Sequence, residues 1–448
     1  MKITFYGGAK TVTGANYLLE SGDTKILIDC GLSQGNKEAE RKNFEPLPYN
    51  PSSVQALFIT HAHVDHVGKI PKLVKSGFDG AIYSTPPTKD FAELLLLDSE
   101  HLLRREAEEE GRAPLYLEED VLRAMTQWKT QDYHSPFEIG PFVVEFFDAG
   151  HILGSASIKF TAEGKSIIFS GDLGNAPAPV IRDPDPLPAA DYCVIESTYG
   201  DRVHDSADTR ESELENAIED TVRAGGVLMV PAFAMERTQD LLYHLNGLVE
   251  QGRVPRVPVY IDSPLAIRLT DVYKKYKEYF NRSVTKEMRA GDDILNFPGL
   301  HFTLTAEQSK EINNVHPPKI IIAGSGMSNG GRILHHERRY LSDPKSCLLI
   351  VGYQAAGTMG RALVDGAKTV RMFKEEIPVR CSIRSITAYS AHADQPHLLA
   401  WLRPRRGSLK EVFVVQGEEE GAMVLAQKIR DELAVQASVP SYGEEFML

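Results

Sequence analysis

The chain has 448 residues, of which 42% are hydrophobic and 25% are charged, which is typical of a globular protein with room for two or three domains. No apolar run approaches the roughly 20 residues of a membrane-spanning helix, and the N-terminus lacks the apolar core of a signal peptide. No two cysteines form a C-x-x-C pair. We therefore expect a reduced, cytoplasmic protein without a membrane partner. A net charge of −13 argues against broad, non-specific coating of nucleic acid, although it does not exclude an enzyme that acts on nucleic acid.

Short runs of β-branched and aromatic residues predict strands in the first half of the chain. The predicted strands are ALFIT (56–60), VVEFF (143–147), SIIFS (166–170) and YCVIE (192–196). Polar and glycine-rich segments follow each of them, and sites are commonly built beyond the C-terminal ends of strands. Between the first two, a long helix is predicted to start near Thr88 and to end in the charged stretch 104–112.

From about residue 203 the pattern changes to an alternation of strands and helices, which indicates an α/β unit with parallel strands. Leu214, Ile218 and Val222 have helical spacing, and Gly225 follows as a stop signal. The other predicted elements are strands at 227–230, 257–262, 319–323, 347–353 and 411–416, a helix through Leu241, Leu245 and Leu248, a helix starting near Gly331, and a final helix through Leu425, Ile429 and Leu433.

The stretch ITHAHVDHVG (59–68) concentrates four potential metal ligands in six positions. In an extended loop, His61 and His63 point to the same side and can bind one cation together. Asp65 and His66 follow where the chain turns towards a helix, so they can face a second cation close by. The alternative interpretation is an exposed polar turn.

Two further candidate ligands follow predicted strands. His151 stands in DAGHILGS and Asp172 in FSGDLG. Alone, His151 would more often be a structural histidine and Asp172 a turn residue, but the ordered set predicts a two-metal site. Two cations bridged by one carboxylate activate water and stabilise an in-line displacement at phosphorus, and neutral imidazoles suit zinc better than magnesium or calcium.

These motifs resemble the metallo-β-lactamase fold and, in particular, the β-CASP nucleases. That family includes the nuclease subunit of the cleavage and polyadenylation specificity factor, RNase J and short bacterial RNases. The resemblance covers nearly the whole chain. It rests on LIDCG, THAHVDH, DAGHILGS, FSGDLG, CVIESTYGD, VPAFAMERTQ, DSPLA, GSGMSNGGRILHH, GYQAAGTMGR and YSAHADQ. We expect neither an archaeal-type N-terminal RNA-binding domain nor a long RNase J-type tail.

The resemblance implies an α/β fold, an αββα metallo-β-lactamase sandwich interrupted by an α/β β-CASP domain. We expect the sandwich at 1–202 and 384–448, the β-CASP domain at 203–383, and the active site in the groove between them. The change of pattern near residue 203 agrees with this division.

The resemblance also implies the ligand sets. His61, His63 and His151 would hold one zinc ion, while Asp65 and His66 would hold the other. Asp172 would bridge the two ions. Asp29 would support the ligands by hydrogen bonding, although the position also fits a strand-end turn residue.

Hydrolysis also needs a proton for the leaving oxygen. The resemblance assigns this catalytic role to His392 of YSAHADQ, whose imidazole titrates near neutrality. Glu196 would pair with His392 and keep it protonated, and Asp65 completes the catalytic candidates.

Five residues are candidate phosphate contacts. They are Ser390, Ser325 in the glycine-rich stretch 324–331, Arg237, Arg332 and Arg361. Each arginine alone would more often be an ordinary surface or salt-bridged residue, and the glycine-rich stretch could equally be a tight turn between a strand and a helix.

The leading prediction is a zinc-dependent ribonuclease with RNA as its substrate. The sequence does not decide whether the protein forms a homodimer or whether it cleaves RNA internally or from an end. A hydrolase of small esters is disfavoured by the long 203–383 insertion and YSAHADQ. A DNA-acting nuclease of the same superfamily is an alternative. A catalytically weak RNA-binding subunit is another, because Gln416 stands where the family carries a zinc-binding histidine. We therefore expect Gln416 to be a weak or absent ligand and the second zinc site to be weak or partly occupied.

Overall fold

The computed structural model describes residues 1–35, 37–204, 209–352, 354 and 357–448. The chain divides into two compact units. The first comprises Met1–Val203 and His392–Leu448, and the second comprises His204–Ala391. The predicted domain boundaries at 202/203 and 383/384 stay predictions.

The strands in chain order are β1 (Lys2–Phe5), β2 (Tyr17–Ser21), β3 (Thr24–Ile28), β4 (Ala56–Phe58), β5 (Ala81–Ser84), β6 (Trp128–Thr130), β7 (Phe137–Ile139), β8 (Phe142–Asp148), β9 (Ala156–Ala162), β10 (Lys165–Phe169), β11 (Tyr192–Glu196), β12 (Val227–Pro231), β13 (Val259–Ile261), β14 (Leu300–Phe302), β15 (Lys319–Ala323), β16 (Cys347–Ile350), β17 (Thr369–Met372), β18 (Glu375–Pro378), β19 (Ser382–Ser385), β20 (Glu411–Val415), β21 (Gln436–Ser438) and β22 (Glu445–Met447).

The α-helices in chain order are α1 (Lys37–Lys42), α2 (Val64–Val67), α3 (Ile70–Lys75), α4 (Pro86–Glu110), α5 (Glu118–Thr126), α6 (Arg210–Ala224), α7 (Arg237–Glu250), α8 (Pro264–Lys275), α9 (Arg282–Arg289), α10 (Ala306–Glu311), α11 (Ile333–Tyr340), α12 (Met359–Val364), α13 (Gln395–Leu402) and α14 (Glu419–Lys428). No helix of the described residues combines the length and the apolarity needed to cross a membrane.

The first unit contains two mixed sheets that pack face to face. One has the strand order β22-β1-β2-β3-β4-β5-β6, and the other has the order β21-β20-β11-β10-β9-β8-β7. Alternate side chains of both sheets form one core, in which Phe5, Phe58, Phe146, Phe160 and Phe413 are fully buried. Burial of such aromatic side chains is worth about 1.5–3 kcal/mol each and fixes the two sheets against one another.

Helices cover the outer sides of this pair of sheets. Leu398 and Leu402 of α13 and Leu425 of α14 pack with Ile195 of β11 and Val414 of β20 in a second core. On the other side, α4 packs against β6 and α5, and α5 packs against α3. The predicted αββα class is confirmed.

The second unit is built on a parallel sheet with the order β14-β13-β15-β12-β16-β19, and β17 and β18 form a separate hairpin. Buried residues of its central strands and of α11 and α12 share one core, which includes Met229, Ile321, Leu348, Ile333 and Leu363. The predicted α/β character of this part of the chain is confirmed.

Most predicted elements are found close to their expected positions. The strands expected at 56–60, 143–147, 166–170 and 192–196 are β4, β8, β10 and β11. The last predicted helix differs, because α14 ends at Lys428 and a π-helical turn at Ile429–Leu433 continues it. Tyr353, the end of the predicted strand at 347–353, lies outside the described residues.

Candidate metal centre

The candidate site forms where strands of both sheets end. β3 and β4 are parallel in one sheet, and β10, β11 and β20 are parallel in the other. β8 runs in the direction of β10, because both are antiparallel to β9. Parallel strands bring their C-terminal ends to one edge. The candidates at or just after these ends are Asp29, His61, His151, Asp172, Glu196 and Gln416.

The histidine-rich segment turns directly from β4 into the short helix α2, and His63 precedes its first residue. Its backbone lies against the segment after β3, since the N–H of Cys30 donates to the carbonyl of His66 at 2.7 Å. A Cβ on Gly31 would lie 1.4 Å from the carbonyl oxygen of Asp65. Glycine is therefore required at position 31 to bring Asp65 and His66 this close to β3.

Four donor atoms converge after these strands. His63 Nδ1 lies 3.0 Å from His61 Nε2 and 3.1 Å from His151 Nε2. Asp172 Oδ2 lies 3.4 Å from His61 Nε2 and 3.6 Å from His151 Nε2. Zinc–nitrogen bonds of about 2.0–2.1 Å in a tetrahedron separate the ligand atoms by roughly 3.3 Å. The four donors thus lie close enough together to bind one zinc ion.

Hydrogen bonds behind the ligands select the ring nitrogens that can bind metal. The Thr60 hydroxyl donates to Asp29 Oδ2 at 2.8 Å, so it can accept from the Nδ1–H of His61, which lies 3.1 Å away. The Nδ1–H of His66 donates to Asp29 Oδ2 at 2.8 Å. In their neutral forms, both imidazoles then present Nε2 as a lone pair. This arrangement is the usual way in which an outer carboxylate orients metal-binding histidines.

The charges of the site favour cation binding. Burial holds the pKa of His63 and His151 well below the usual range, so both imidazoles are neutral, the form that ligates metal. Burial would raise the pKa of the Asp172 carboxyl, but the adjacent His66 and His61 hold it well below its usual range. The site thus offers neutral nitrogen donors and one carboxylate.

A second set of donors lies on the other oxygen of the same carboxylate. His66 Nε2 is 3.4 Å from Asp172 Oδ1 and 3.9 Å from Asp65 Oδ2. Burial raises the pKa of Asp65, and the neighbouring Asp172 adds to this effect. Asp172 is therefore placed to serve two sites, as a bridging ligand would.

The Gln416 amide makes hydrogen bonds to two potential metal ligands of this second set. Its Nε2 donates to Asp172 Oδ1 at 2.8 Å and lies 2.8 Å from His66 Nε2, while Tyr17 donates its hydroxyl to Gln416 Oε1 at 3.3 Å. The two lone pairs that a second metal would need thus face an amide N–H₂ group. In this arrangement the residues present fit the first metal but not the second.

The hydrogen bond to His66 requires a neutral imidazole. Burial lowers the pKa of His66, but the carboxylates of Asp172 and Asp29 outweigh burial and raise it well above the usual range. A cation bound at the first donor set would offset the charge of Asp172 and lower this pKa again, and His66 in its neutral form would accept from Gln416.

His392 lies beside the first donor set. Its Nδ1 is 3.8 Å from Asp172 Oδ2 and 3.3 Å from both carboxylate oxygens of Glu196. Its backbone is bridged to Gly174, and Leu173 donates its N–H to Glu196 Oε1 at 2.6 Å. Burial would lower the pKa of His392, but Glu196 raises it to about 9. The imidazole is thus held as a cation next to the metal donors.

Comparison with known proteins gives a consistent result. The chain matches the metallo-beta-lactamase superfamily over residues 11–223, the Beta-Casp domain over 238–363, and the Zn-dependent metallo-hydrolase RNA specificity domain over 376–440. It is 37% identical over 446 residues to "Ribonuclease TTHA0252" of Thermus thermophilus, with 99% of each chain covered. The chain belongs to the β-CASP family of the metallo-β-lactamase superfamily.

Other β-CASP relatives span the chain as well. An "RNase J-like protein" of Methanocaldococcus jannaschii is 31% identical, with 98% of each chain covered. "Transcription termination factor FttA" of Methanosarcina mazei is 30% identical over 97% of this chain and 70% of its own length. A solved structure of a protein of unknown function from Enterococcus faecalis V583 has a TM-score of 0.56 at 14% identity, covers 100% of this chain and 99% of its own, and shows the fold alone.

Membership of this family, together with the convergent donors, establishes the class of the protein. The chain is a metal-dependent hydrolase of a superfamily that binds divalent metal ions. The predicted recognition of the family and the predicted enzyme class are confirmed.

The candidate phosphate contacts of the second unit have protein partners. Ser325 Oγ accepts from the N–H groups of Asn329 and Gly330 at 3.1 and 3.2 Å, which closes the glycine-rich turn. Arg332 donates to Asp262 Oδ1 at 2.7 Å, and Arg361 donates to an exposed carboxylate of the next helical turn. Their roles towards phosphate stay predictions.

Arg237 and Ser390 are both almost completely buried in the same unit. The guanidinium of Arg237 lies 3.4 Å from Glu236 and 3.9 Å from Asp240, and it stacks over the ring of Tyr389. Ser390 ends a short turn by donating its N–H to Thr387. These contacts hold Arg237 and Ser390 in place, and their phosphate roles also stay predictions.

Two residues of the candidate centre escape sequence analysis. The Thr60 hydroxyl connects Asp29 to His61 by hydrogen bonds. In the sequence, only its position between β4 and the first histidine could have indicated this role. Tyr17 begins β2 and reads in sequence as an ordinary core residue, although its hydroxyl reaches Gln416. A contact between residues so distant in sequence has no local pattern.

Proposed function

We propose that the chain is a zinc-dependent ribonuclease that hydrolyses phosphodiester bonds of RNA. The observation that carries the proposal is the convergence of His61, His63, His151 and Asp172, with His392 beside them. The match of residues 376–440 to an RNA specificity domain and the ribonuclease named among the relatives support RNA as the substrate.

Zinc suits the first donor set better than magnesium or calcium do. Three imidazole nitrogens and one carboxylate oxygen are typical zinc ligands, whereas the other two ions prefer oxygen ligands in larger number. A cation bound there would act as a Lewis acid towards the phosphate and would activate water for attack.

The protein's own residues prepare this site. Asp29 and Thr60 fix the ring nitrogens that His61 and His66 present, which avoids reorganisation when the metal binds. Asp172 supplies the negative charge that offsets the cation. Asp65, at the margin of the site, extends this negative surface towards His66.

His392 supplies the proton that the leaving oxygen requires. Cleavage of a phosphodiester expels an alkoxide, and a positioned imidazolium can protonate it as it departs. Glu196 holds the His392 ring by facing its Nδ1 and ties it to the loop of Asp172 through Leu173. Glu196 is therefore a positioning residue for the acid.

The second zinc site expected from the sequence is weak at most. Its nitrogen and one of its oxygens are hydrogen-bonded to the neutral amide of Gln416, and an amide oxygen is a poorer zinc donor than an imidazole nitrogen. This feature also favours one other candidate function, an RNA-binding subunit that hydrolyses slowly.

A cleavage assay with matched substrates tests the proposal. RNA and DNA of identical sequence, each labelled at one end, are incubated with the purified protein, and the zinc content is measured in the same sample. We expect zinc to be present and RNA to be cleaved faster than DNA. Release of the label alone would indicate an exonuclease, and internal fragments would indicate an endonuclease.

His63→Ala provides the decisive variant, because it removes one of the four donors. We expect it to lose metal and hydrolysis together while it remains folded. His101→Ala, which removes an exposed imidazole of α4, is the matched control and should change neither. Unaltered metal content and activity in His63→Ala would refute the proposed site. Equal turnover of DNA would support a DNA-acting nuclease, and metal-dependent RNA binding without cleavage would support the RNA-binding subunit.

A further inference from the structure

The Gln416 amide makes hydrogen bonds to the two atoms that a second metal would need. Nε2 lies 2.8 Å from both His66 Nε2 and Asp172 Oδ1, and these two atoms are 3.4 Å apart. The two hydrogens of one N–H₂ group can serve two such acceptors at once. A cation bridging the same pair would have to displace these hydrogen bonds.

The orientation of the Gln416 amide distinguishes a site closed by hydrogen bonds from a site that holds a second cation. With Nε2 towards Asp172, each polar atom of the amide has a partner, because Tyr17 donates to Oε1 at 3.3 Å. The reverse orientation would bring Oε1 to 2.8 Å from a carboxylate oxygen, and the two acceptors would repel one another. A metal cation between the two oxygens would make that orientation favourable.

The main chain of Gln416 is held on both sides of its Cα. Gln416 has a left-handed φ of 48°, and its N–H donates to the carbonyl of Gly8 at 2.6 Å. Its own carbonyl accepts from the hydroxyl of Thr198 at 3.1 Å. Position 8 must be glycine, since a Cβ there would lie 2.5 Å from the Tyr17 hydroxyl and 3.0 Å from Gln416 Cγ. Gly8 therefore gives Tyr17 and Gln416 the space in which they meet.

We propose that this protein holds a single divalent ion, at His61, His63, His151 and Asp172, and that the Gln416 amide takes the place of a second ion. Tyr17 is the positioning residue that keeps the amide nitrogen turned towards Asp172. The inference rests on the proposed function for the first metal, and it concerns how many ions the protein binds rather than which reaction it performs.

Metal counting tests this inference directly. The full chain is stripped of metal, titrated with Zn²⁺ by calorimetry, and analysed for bound zinc by elemental analysis after removal of the free ion. The variants are Gln416→Glu, which keeps the shape but adds a carboxylate, Gln416→His, which adds an imidazole, and Tyr17→Phe, which removes the hydroxyl. Gln427→His, on the exposed side of α14, controls for zinc bound by any added imidazole.

We expect one zinc ion per chain in the parent and in Gln427→His, and two in Gln416→Glu and Gln416→His. In Tyr17→Phe the amide can turn, so a second ion should bind at high zinc concentration. Its affinity should be about 10-fold higher than in the parent, because one hydrogen bond that competes with the ion is lost. Cobalt substitution gives a second readout, because visible absorption should saturate at one equivalent in the parent and at two in Gln416→Glu.

The results that would overturn the inference are distinct from those that would overturn the proposed function. Two firmly held zinc ions in the parent would refute the inference and leave the ribonuclease intact. A single ion in a folded Gln416→Glu variant would also refute it. A parent that binds no zinc would instead refute the proposed function. Circular dichroism checks the fold, and if both Gln416 variants unfold, the parent stoichiometry and Tyr17→Phe decide.

Discussion

A cationic imidazole held against a buried carboxylate gives the clearest prediction at the scale of single residues. His392 has 24% of its side-chain surface exposed and lies 3.8 Å from Asp172, so it can reach substrate without being needed to hold metal. We expect His392→Ala to lose about 10²–10⁴ in kcat, the usual value of a positioned proton donor. Its zinc content should equal that of the parent and of His101→Ala. Loss of zinc along with activity would make His392 a ligand rather than an acid.

Replacement of Glu196 by Gln tests how the acid is maintained. The Glu196 carboxylate raises the pKa of His392, and activity is lost as the pH rises through that pKa because the acid must carry its proton. The variant keeps an oxygen for the N–H of Leu173 but removes the charge. The alkaline limb of the kcat profile should therefore move to lower pH. An unchanged alkaline limb would exclude His392 as the group that titrates there.

The spacing of single residues predicts chemistry well where neighbours in sequence are neighbours in space. His61, His63 and His66 share one turn, so their grouping is visible in the sequence. His151 and Asp172 could be added because each follows a strand. The contact of Tyr17 with Gln416 could not be predicted, because β2 and β20 lie in different sheets. The contact therefore depends on how the two sheets pack against one another.

At the scale of secondary structure elements, α11 carries a buried acid that the proposed chemistry does not use. Glu337 is fully buried, its Oε1 accepts the hydroxyl of Ser328 at 2.5 Å, and burial raises its pKa to about 8. The carboxyl thus anchors the glycine-rich turn to the helix that follows. In its ionised form it opposes folding, because the unfolded chain solvates the charge better.

This linkage predicts a pH-dependent stability of the second unit. Between the unfolded pKa near 4.5 and the folded pKa of about 8, stability should fall as the pH rises, by at most about 1.4 kcal/mol per pH unit. Glu337→Gln has the same shape and cannot ionise, so its stability relative to the parent should increase from pH 5 to pH 8. Urea unfolding of both proteins at the two pH values measures the difference. An equal pH dependence would mean that Glu337 is solvated in the folded state.

Hydrophobic patterning predicted most elements because their periodicity is set locally. α6 follows the spacing of Leu214, Ile218 and Val222 and ends at Gly225, which is left-handed as a helix-terminating glycine is. The end of α14 was not predictable in the same way. Ile429 and Leu433 keep helical spacing and are buried in the core that includes β11 and β20, but they lie in a π-helical turn that their spacing does not reveal.

At the scale of the whole molecule, the net charge of −13 opposes approach of RNA, so binding must depend on local positive groups. We expect the affinity for RNA to fall as salt is added, because phosphate contacts release counterions. A plot of the logarithm of the binding constant against the logarithm of the salt concentration should therefore have a negative slope. Fluorescence anisotropy at several salt concentrations measures the slope. An affinity that is indifferent to salt would contradict an interface led by phosphates.

The sandwich could be predicted only from the resemblance of motifs, not from composition or periodicity. Short strands such as β4 and β11 are predicted one by one, but nothing in their sequence says which strand lies beside which. β20 pairs with β11 across the whole second unit in sequence. Such long-range pairing is decided by the complementary apolar faces of the finished sheets.

The order of residues along the chain has a consequence for protein synthesis. The donors His61 to Asp172 are translated first, whereas His392 follows 392 − 172 = 220 residues later. At about 5–20 residues per second, a ribosome needs roughly 10–45 s to add them. β20, Gln416 and β21 follow, and only then is the second sheet complete. A growing chain thus carries the metal donors for some time before the residue proposed as the acid joins them.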